Sequence, residues 1–421
     1  MAKIKQIHAR EILDSRGNPT IETTVVLNDN VYGVASCPSG ASIGTYEASE
    51  LRDNDPKRYT GLGVLKAIEN IEKIIAPKLI GKEVTHQAEI DSLMIQLDGT
   101  QNKGMLGANA MLSVSMAVVK AASQSSVLPI YLYLRQFIKT NNESSLKIPK
   151  PLFNIINGGK HASFNLDFQE FMIIPATSKT YEESLIDAVN IYKSLKEILK
   201  QNNLSTLIGD EGGFAPNLPA NIAAFDLLKQ AVDTNSLRFG FDVFFGADAA
   251  SNSFYKDHNY LLKDRSMPYS TNDLIAYYEE LNKKYSLLYL EDPFSEDDWD
   301  GWVNIMTKLS GNTIITGDDL TVTNPYRLQM ALSKKAVTAI VIKPNQIGTV
   351  IEALAVVEVA KHAGLKIIVS HRSGETNDDF IADFAVAVGA DFVKFGAPAR
   401  GERVSKYNRL SQIDRQLRQI I

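Results

Sequence analysis

Six short apolar runs in the second half of this chain each end on an ionisable residue, and that recurrence constrains the fold more than any other feature. Val243–Ala247 leads to Asp248, Leu287–Leu290 to Glu291, Thr313–Gly317 to Asp318, Ala339–Ile342 to Lys343, Lys366–Ser370 to His371 and Asp391–Val393 to Lys394. These residues follow one another at intervals of 43, 27, 25, 28 and 23. The stretches between the runs have helical pattern. An eight-unit βα barrel of about 250 residues allots about 31 to each unit, so the spacing predicts such a barrel. Its chemistry sits where the parallel strands end. One charged strand end means only that a strand has met water. Six in register, of the types Asp, Glu, Asp, Lys, His, Lys, read as a site.

The start of the barrel is less regular. Pro151–Gly159 reads as one strand. In Phe168–Pro175 the candidate Glu170 comes before its apolar run. If Glu170 shares the mouth with the others, this strand must run antiparallel to them. A further run, Leu204–Ile208, leads to Glu211 and makes nine runs for eight strands, so one is a loop or an extra hairpin. Ahead of the barrel, residues 3–37 read as strands. Ile21, Thr23 and Val25 alternate, a polar turn follows at Asn28–Asn30, and Val31, Gly33 and Ala35 alternate back. From about residue 62 the pattern is helical, with Leu65, Ile68, Ile71 and Ile75 three or four apart. Residues 105–123 are apolar on most sides, as in a helix buried between neighbours. The organisation predicted is a small N-terminal α+β domain, 1–140, and a barrel domain, 141–421. The boundary lies in the polar stretch 140–149, which ends at a proline.

Charge and cysteine content narrow the function classes. Lys and Arg total 44 against 49 Asp and Glu, for a formal charge of −5, so there is no overall basic surface for nucleic acid. The single cysteine, Cys37, excludes an internal disulfide and a Cys-rich zinc site; it reads as a small packed side chain. No uninterrupted apolar run reaches the length of about 18 residues that marks a membrane span. The N-terminus has no apolar stretch of signal-peptide length, so the expected location is the cytoplasm.

Asp248, Glu291 and Asp318 bring three carboxylates to adjacent strand ends. Their mutual repulsion raises their pKa values unless a cation intervenes. All-oxygen ligands favour a hard ion, and Mg2+ keeps positions open for water and substrate; the alternative is pairing with neighbouring lysines. Asp292 and Asp319 adjoin two of the three, and strand alternation lets one of each pair face the site. Lys343 and Lys394, placed across the mouth, are candidate bases if nearby cations and desolvation lower their pKa, or else partners in salt bridges. Glu211 lies in a glycine-flanked loop, 209–214. In an apolar pocket it would stay protonated and act as an acid. After His371, Arg372 offers a planar fork of donors for phosphate or carboxylate, and Ser373 with the following backbone N–H groups suits an anion nest. The alternative is an ordinary strand-to-helix turn capped by Ser373. The small-residue loop Pro38–Gly44 is neither a Walker A motif nor a dinucleotide fingerprint.

With these residues in place the chain resembles the enolase family nearly end to end. The motifs that carry the resemblance are Ser15–Thr20, Pro38–Ser42, Tyr46–Asp53, Leu97–Thr100 and Leu106–Ala110 in the first domain. In the second they are Asn157–Gly159, His161–Ala162, Gln169–Phe171, Gly209–Pro216, Glu291–Phe294, Gly317–Leu320, Lys343–Thr349 and Ser370–Thr376. The resemblance implies reversible, Mg2+-dependent conversion of 2-phospho-D-glycerate, a phosphorylated hydroxy-acid, to phosphoenolpyruvate and water. It implies two Mg2+ ions per site. Asp248, Glu291 and Asp318 would hold the first; Ser39, on a mobile loop, would help hold the second, which arrives with substrate. Lys343 would be the base and Glu211 the acid, with Glu170 beside it; His161, Gln169, His371, Arg372, Ser373 and Lys394 would serve the substrate. It further implies a barrel with an antiparallel second strand and a homodimer, in some members an octamer, with a possible cell-surface or secreted pool. The chain departs from the usual family pattern at Phe395, after His161–Ala162, and just before Asp248. The competing readings are another lyase or isomerase of the same superfamily, and a binding role at the cell surface.

Overall fold

The computed structural model describes residues 2–40, 44–139 and 146–420. The predicted domain boundary after residue 140 lies outside the described residues.

The first unit opens with an antiparallel meander, β1 (Ile4–Leu13), β2 (Pro19–Leu27) and β3 (Tyr32–Ser36). Along β2 the two-residue alternation appears as read: Ile21, Thr23, Val25 and Leu27 are buried, and Glu22, Thr24 and Val26 only partly so. The buried face covers helix α1 (Ala108–Ser125), in which fifteen of eighteen residues are buried. This helix has no polar face because it is covered on two sides. Ser113 meets Thr23 of the sheet at 2.8 Å, and Ser115 accepts from the Val350 amide of the barrel domain at 3.1 Å.

Sheet and helix approach most closely at Gly33. A Cβ there would stand 2.3 Å from the Ala117 carbonyl oxygen and 2.4 Å from the Ala121 amide nitrogen. Backbone atoms cannot move aside as a flexible side chain would. We therefore expect Gly33→Ala to lower unfolding stability by about 1–3 kcal/mol, the usual range for overpacking. Thermal and urea melts check this; an unchanged midpoint would contradict the close packing.

The second unit is a closed barrel of eight strands: β4 (Lys150–Asn157), β5 (Glu170–Pro175), β6 (Val243–Asp248), β7 (Leu287–Glu291), β8 (Ile314–Gly317), β9 (Ala339–Ile342), β10 (Lys366–Ser370) and β11 (Phe392–Lys394). They pair in chain order, and β11 closes onto β4. β5 is antiparallel to both neighbours and every other pair is parallel. The position of Glu170 ahead of its apolar run had required this reversal. The ninth run is a loop: Ile208 bridges only to Phe214, and Leu207 is 76% exposed.

The barrel interior is filled by Leu152, Met172, Ile174, Tyr289, Ile314, Ala339, Val341, Ile368 and Phe392, a cluster separate from the larger core between strands and helices. Side chains two apart on a strand share a face. Two residues beyond Tyr289, Val341 and Phe392 stand Glu291, Lys343 and Lys394; two residues before Met172 stands Glu170. The ionisable groups thus form the layer that caps the apolar plug.

Candidate active site

Strand register sets the level of this layer. Asp248 lies opposite Glu170 on one side and Glu291 on the other, and Ser370 lies opposite Lys394. The carboxylates form two overlapping groups. Asp248, Glu291 and Asp292 offer oxygens within 4.8 Å of one another, and so do Asp292, Asp318 and Asp319. The expected trio is therefore joined through a fourth acid. Asp292 breaks strand alternation because its backbone is left-handed, at φ 42, a conformation rare outside glycine. Its carboxylate accepts the amides of Asp318 at 3.0 Å and Asp319 at 2.8 Å, which ties the ends of β7 and β8 together.

Burial, then repulsion from one another, pushes Glu291 up to about 8, Asp248 to about 7 and Asp319 to about 6. Lys394 offsets part of this, although it does not stand across the mouth from the acids. Its Nζ is 2.7 Å from Glu291, 3.2 Å from Glu170 and 3.4 Å from Asp248. An oxygen-only, buried set whose members repel one another suits a hard divalent cation.

Lys343 differs from its expected state. Burial is the largest influence and lowers its pKa, but the ion pair with Asp318, with Glu291 behind it, leaves the amine above its ordinary value. Lys394 and Arg372 work the other way on the same amine. Glu211 also differs, because its surroundings are polar rather than apolar. Asn154 donates to it at 3.0 Å, with His371 Nε2 3.3 Å and His161 Nδ1 3.5 Å away. Burial opposes ionisation of Glu211, but the two imidazoles outweigh it and hold the carboxyl well below its ordinary range. The neighbouring carboxyl whose protonated form is favoured is Glu170, pushed up to about 8 by burial and by Glu211 against the pull of Lys394. Glu170, Glu211 and His161 have atoms within 4.8 Å of one another. Gln169 donates to Asp248 at 3.2 Å. Arg372 presents its fork to Glu47, at 3.0 and 3.4 Å.

The two units also match family descriptions. Residues 4–134 match "Enolase, N-terminal domain" and residues 145–420 match "Enolase, C-terminal TIM barrel domain". This chain belongs to the enolase family. Over 417 residues it is 48% identical to the enolase of Acidothermus cellulolyticus, spanning 99% of this chain and 95% of that one. Over 419 residues it is 45% identical to the enolase of Helicobacter pylori, spanning 99% and 97%. It is an enzyme, a lyase of the phosphopyruvate hydratase type.

One pocket is lined by His161, Gln169, Glu170, Glu211, Asp248, Asp318, Lys343, His371, Arg372, Ser373 and Lys394. Glu291 lies at its floor, fully buried beneath Lys394. Ser39 stands apart from it. The Ser39 hydroxyl donates to Asp14 at 2.5 Å, and its backbone exchanges hydrogen bonds with Gly374 at 2.7 and 2.9 Å. Glu47 is a pocket residue that reading by residue type missed, since its partner Arg372 is in the other domain; the Tyr46–Asp53 motif was its only signal. Cys37 is packed as expected, and burial pushes its thiol up. Phe395, where enolases usually differ, points away from the pocket and packs against Tyr407, with ring centroids 6.0 Å apart.

Proposed function

We propose that this protein catalyses the reversible, Mg2+-dependent dehydration of 2-phospho-D-glycerate to phosphoenolpyruvate, as in glycolysis and gluconeogenesis. The observation that carries this reading is one pocket holding Lys343 and Lys394, a set of converging carboxylates, and a glutamate within reach of two imidazoles. Asp248, Glu291 and Asp318 would hold the first Mg2+, and Ser39 would help hold a second that arrives with substrate. Bound there, the ions supply positive charge where the carboxylate of the substrate becomes an enolate.

The chain's own residues divide the remaining work. Lys343 takes the proton on the carbon next to the substrate carboxylate. It needs a free amine for this, and Lys394 and Arg372 both favour one. Asp318, as a residue that would hold the cation, would then no longer hold the proton on Lys343. Glu211 assists the leaving hydroxyl. Glu170, protonated near neutral pH and close by, is the proton store for that step. Arg372 and Ser373 take the phosphate, with Gln169, His161, His371 and Lys394 as further substrate contacts. A Lys base with Mg2+ is the general pattern given for this superfamily.

The same reading carries a homodimer, with an octamer as the alternative, and a cytoplasmic location, with a surface or secreted pool as a further option. Family membership supports these. No helix among the described residues is long and apolar enough to cross a membrane.

The test is absorbance at the phosphoenolpyruvate band on adding 2-phosphoglycerate. We expect a rise with Mg2+ and none with EDTA. Folded, Mg2+-supplied protein that gives no rise would sink the assignment.

A further inference from the structure

Arg403 lies in the C-terminal helix α2 (Gly401–Ile420) and is fully buried. A buried guanidinium whose one ion pair among the described residues is a long one is unusual: its Nε stands 3.6 Å from Glu402 Oε1 and makes no hydrogen bond. Its fork is instead spent on the walls of the pocket. Nη1 lies 2.8 Å from His371 Nδ1 and donates to the Arg372 carbonyl at 2.6 Å. Nη2 donates to the Ser373 carbonyl at 2.6 Å and to the Asp210 carbonyl at 3.0 Å.

The contact with His371 has only one consistent proton arrangement. A guanidinium always carries its protons and has no acceptor atom. His371 Nδ1 must therefore be the acceptor, and so bears no proton. The ring's proton is then on Nε2. That atom is buried, has no well-aligned hydrogen-bond partner, and stands 3.3 Å from Glu211 Oε1. Protonation at Nδ1 would set two donors head to head.

We propose that Arg403 is a positioning residue of the reaction site: it locks His371 as the neutral Nε2–H tautomer, a permanent donor toward Glu211, and pins the Asp210–Glu211 loop to the Arg372–Ser373 loop. This rests on the reading of Glu211 and His371 as part of that site. The charged groups facing the imidazole are Glu211 from the 209–214 loop, Lys394 from β11 and Arg403 from α2; His161 lies on the far side of Glu211. Burial, with Arg403 and Lys394, lowers the ring to about 3 against the pull of Glu211. Glu211 thus meets a donor whose charge does not change across the working pH range.

The test begins with the native protein and nitrogen NMR of its imidazoles. With six histidines in the chain, loss of one signal set in His371→Gln assigns the ring. We expect a proton on Nε2, a bare Nδ1, and no titration from about pH 5 to 9. A proton on Nδ1, or titration near the ordinary histidine range, overturns the proposal whatever the activity. The second measurement uses Arg403→Met. There we expect His371 to titrate, the acid limb of the kcat profile to move up by about one unit, and KM to rise about tenfold as the loops lose their pin. Arg403→Lys, which keeps a donor, should restore the acid limb better than KM. If Arg403→Met does not fold, the native ring measurement still decides. A native ring as described, with an unmoved acid limb in Arg403→Met, supports the lock and instead counts against the roles of Glu211 and His371.

Discussion

Lys343→Ala is expected to lower kcat by about three orders of magnitude while leaving a folded protein. The size is that of losing a positioned general base. The fold survives because Lys343 stands above the apolar plug and not within it, and because its removal leaves room at the mouth. It does leave Asp318 without the ammonium that, against burial, holds its carboxyl low. The Mg2+-free variant should therefore be less stable than the parent, and Mg2+ should recover most of the difference. Turnover alone does not say which step is lost. Exchange of the substrate's carbon-bound proton with deuterated solvent does, since it reports proton removal without loss of water. In Lys343→Ala exchange and turnover should fall together. In Glu211→Gln exchange should persist while phosphoenolpyruvate formation falls. Exchange at the parent rate in Lys343→Ala would assign the base elsewhere.

The second large effect is on stability. Lys394→Met removes the ammonium shared by Glu170, Asp248 and Glu291, all of them buried. Breaking a buried ion pair from one side costs about 3–5 kcal/mol, and here three acids lose the same partner. The pH dependence has a definite sign. These carboxyls sit at about 8, 7 and 8 in the folded state, above the unfolded value of about 4. A folded pKa raised above the unfolded one gives stability that is complete below about 4 and is lost as pH rises toward 8. Without Lys394 that loss is steeper. The deficit of Lys394→Met, measured by urea unfolding in EDTA, should be larger at pH 8 than at pH 5. An equal deficit at both would point to lost packing. Titrating Mg2+ back should narrow the gap at pH 8.

Much of this site was legible before any coordinates because its position obeys a period of two. Tyr289 and Glu291, Val341 and Lys343, and Phe392 and Lys394 share a face for the same reason that Ile21, Thr23 and Val25 do. The direction of β5 followed from which end of its run Glu170 occupies. What did not follow is everything set by residues distant in the chain. Glu211 reads as a lone acid until Asn154, His161 and His371 are placed around it. The proton on Lys343 depends on how far its amine lies from Asp318, and no spacing encodes that. Asp292 joins Glu291 at the site because alternation fails where φ turns positive. Glu47 comes from the other domain. Arg403 sits in a helix of mostly charged and polar residues, where a buried arginine looks like any solvated one.

The reversed strand also bears on how the barrel assembles. Between Asn157 of β4 and Glu170 of β5 only twelve residues intervene, and the two are directly paired. The closing pair instead joins β11, near residue 394, to β4, near residue 150. The entropy of loop closure grows with the length closed, and contacts distant in sequence form slowly. Pairing is thus easiest at the β4–β5 hairpin, whose strands leave the ribosome ahead of the other barrel strands, and hardest at the seam. That seam strand carries Lys394. On that order the acids on β5, β6 and β7 are expected to gather before their ammonium, which the seam strand brings.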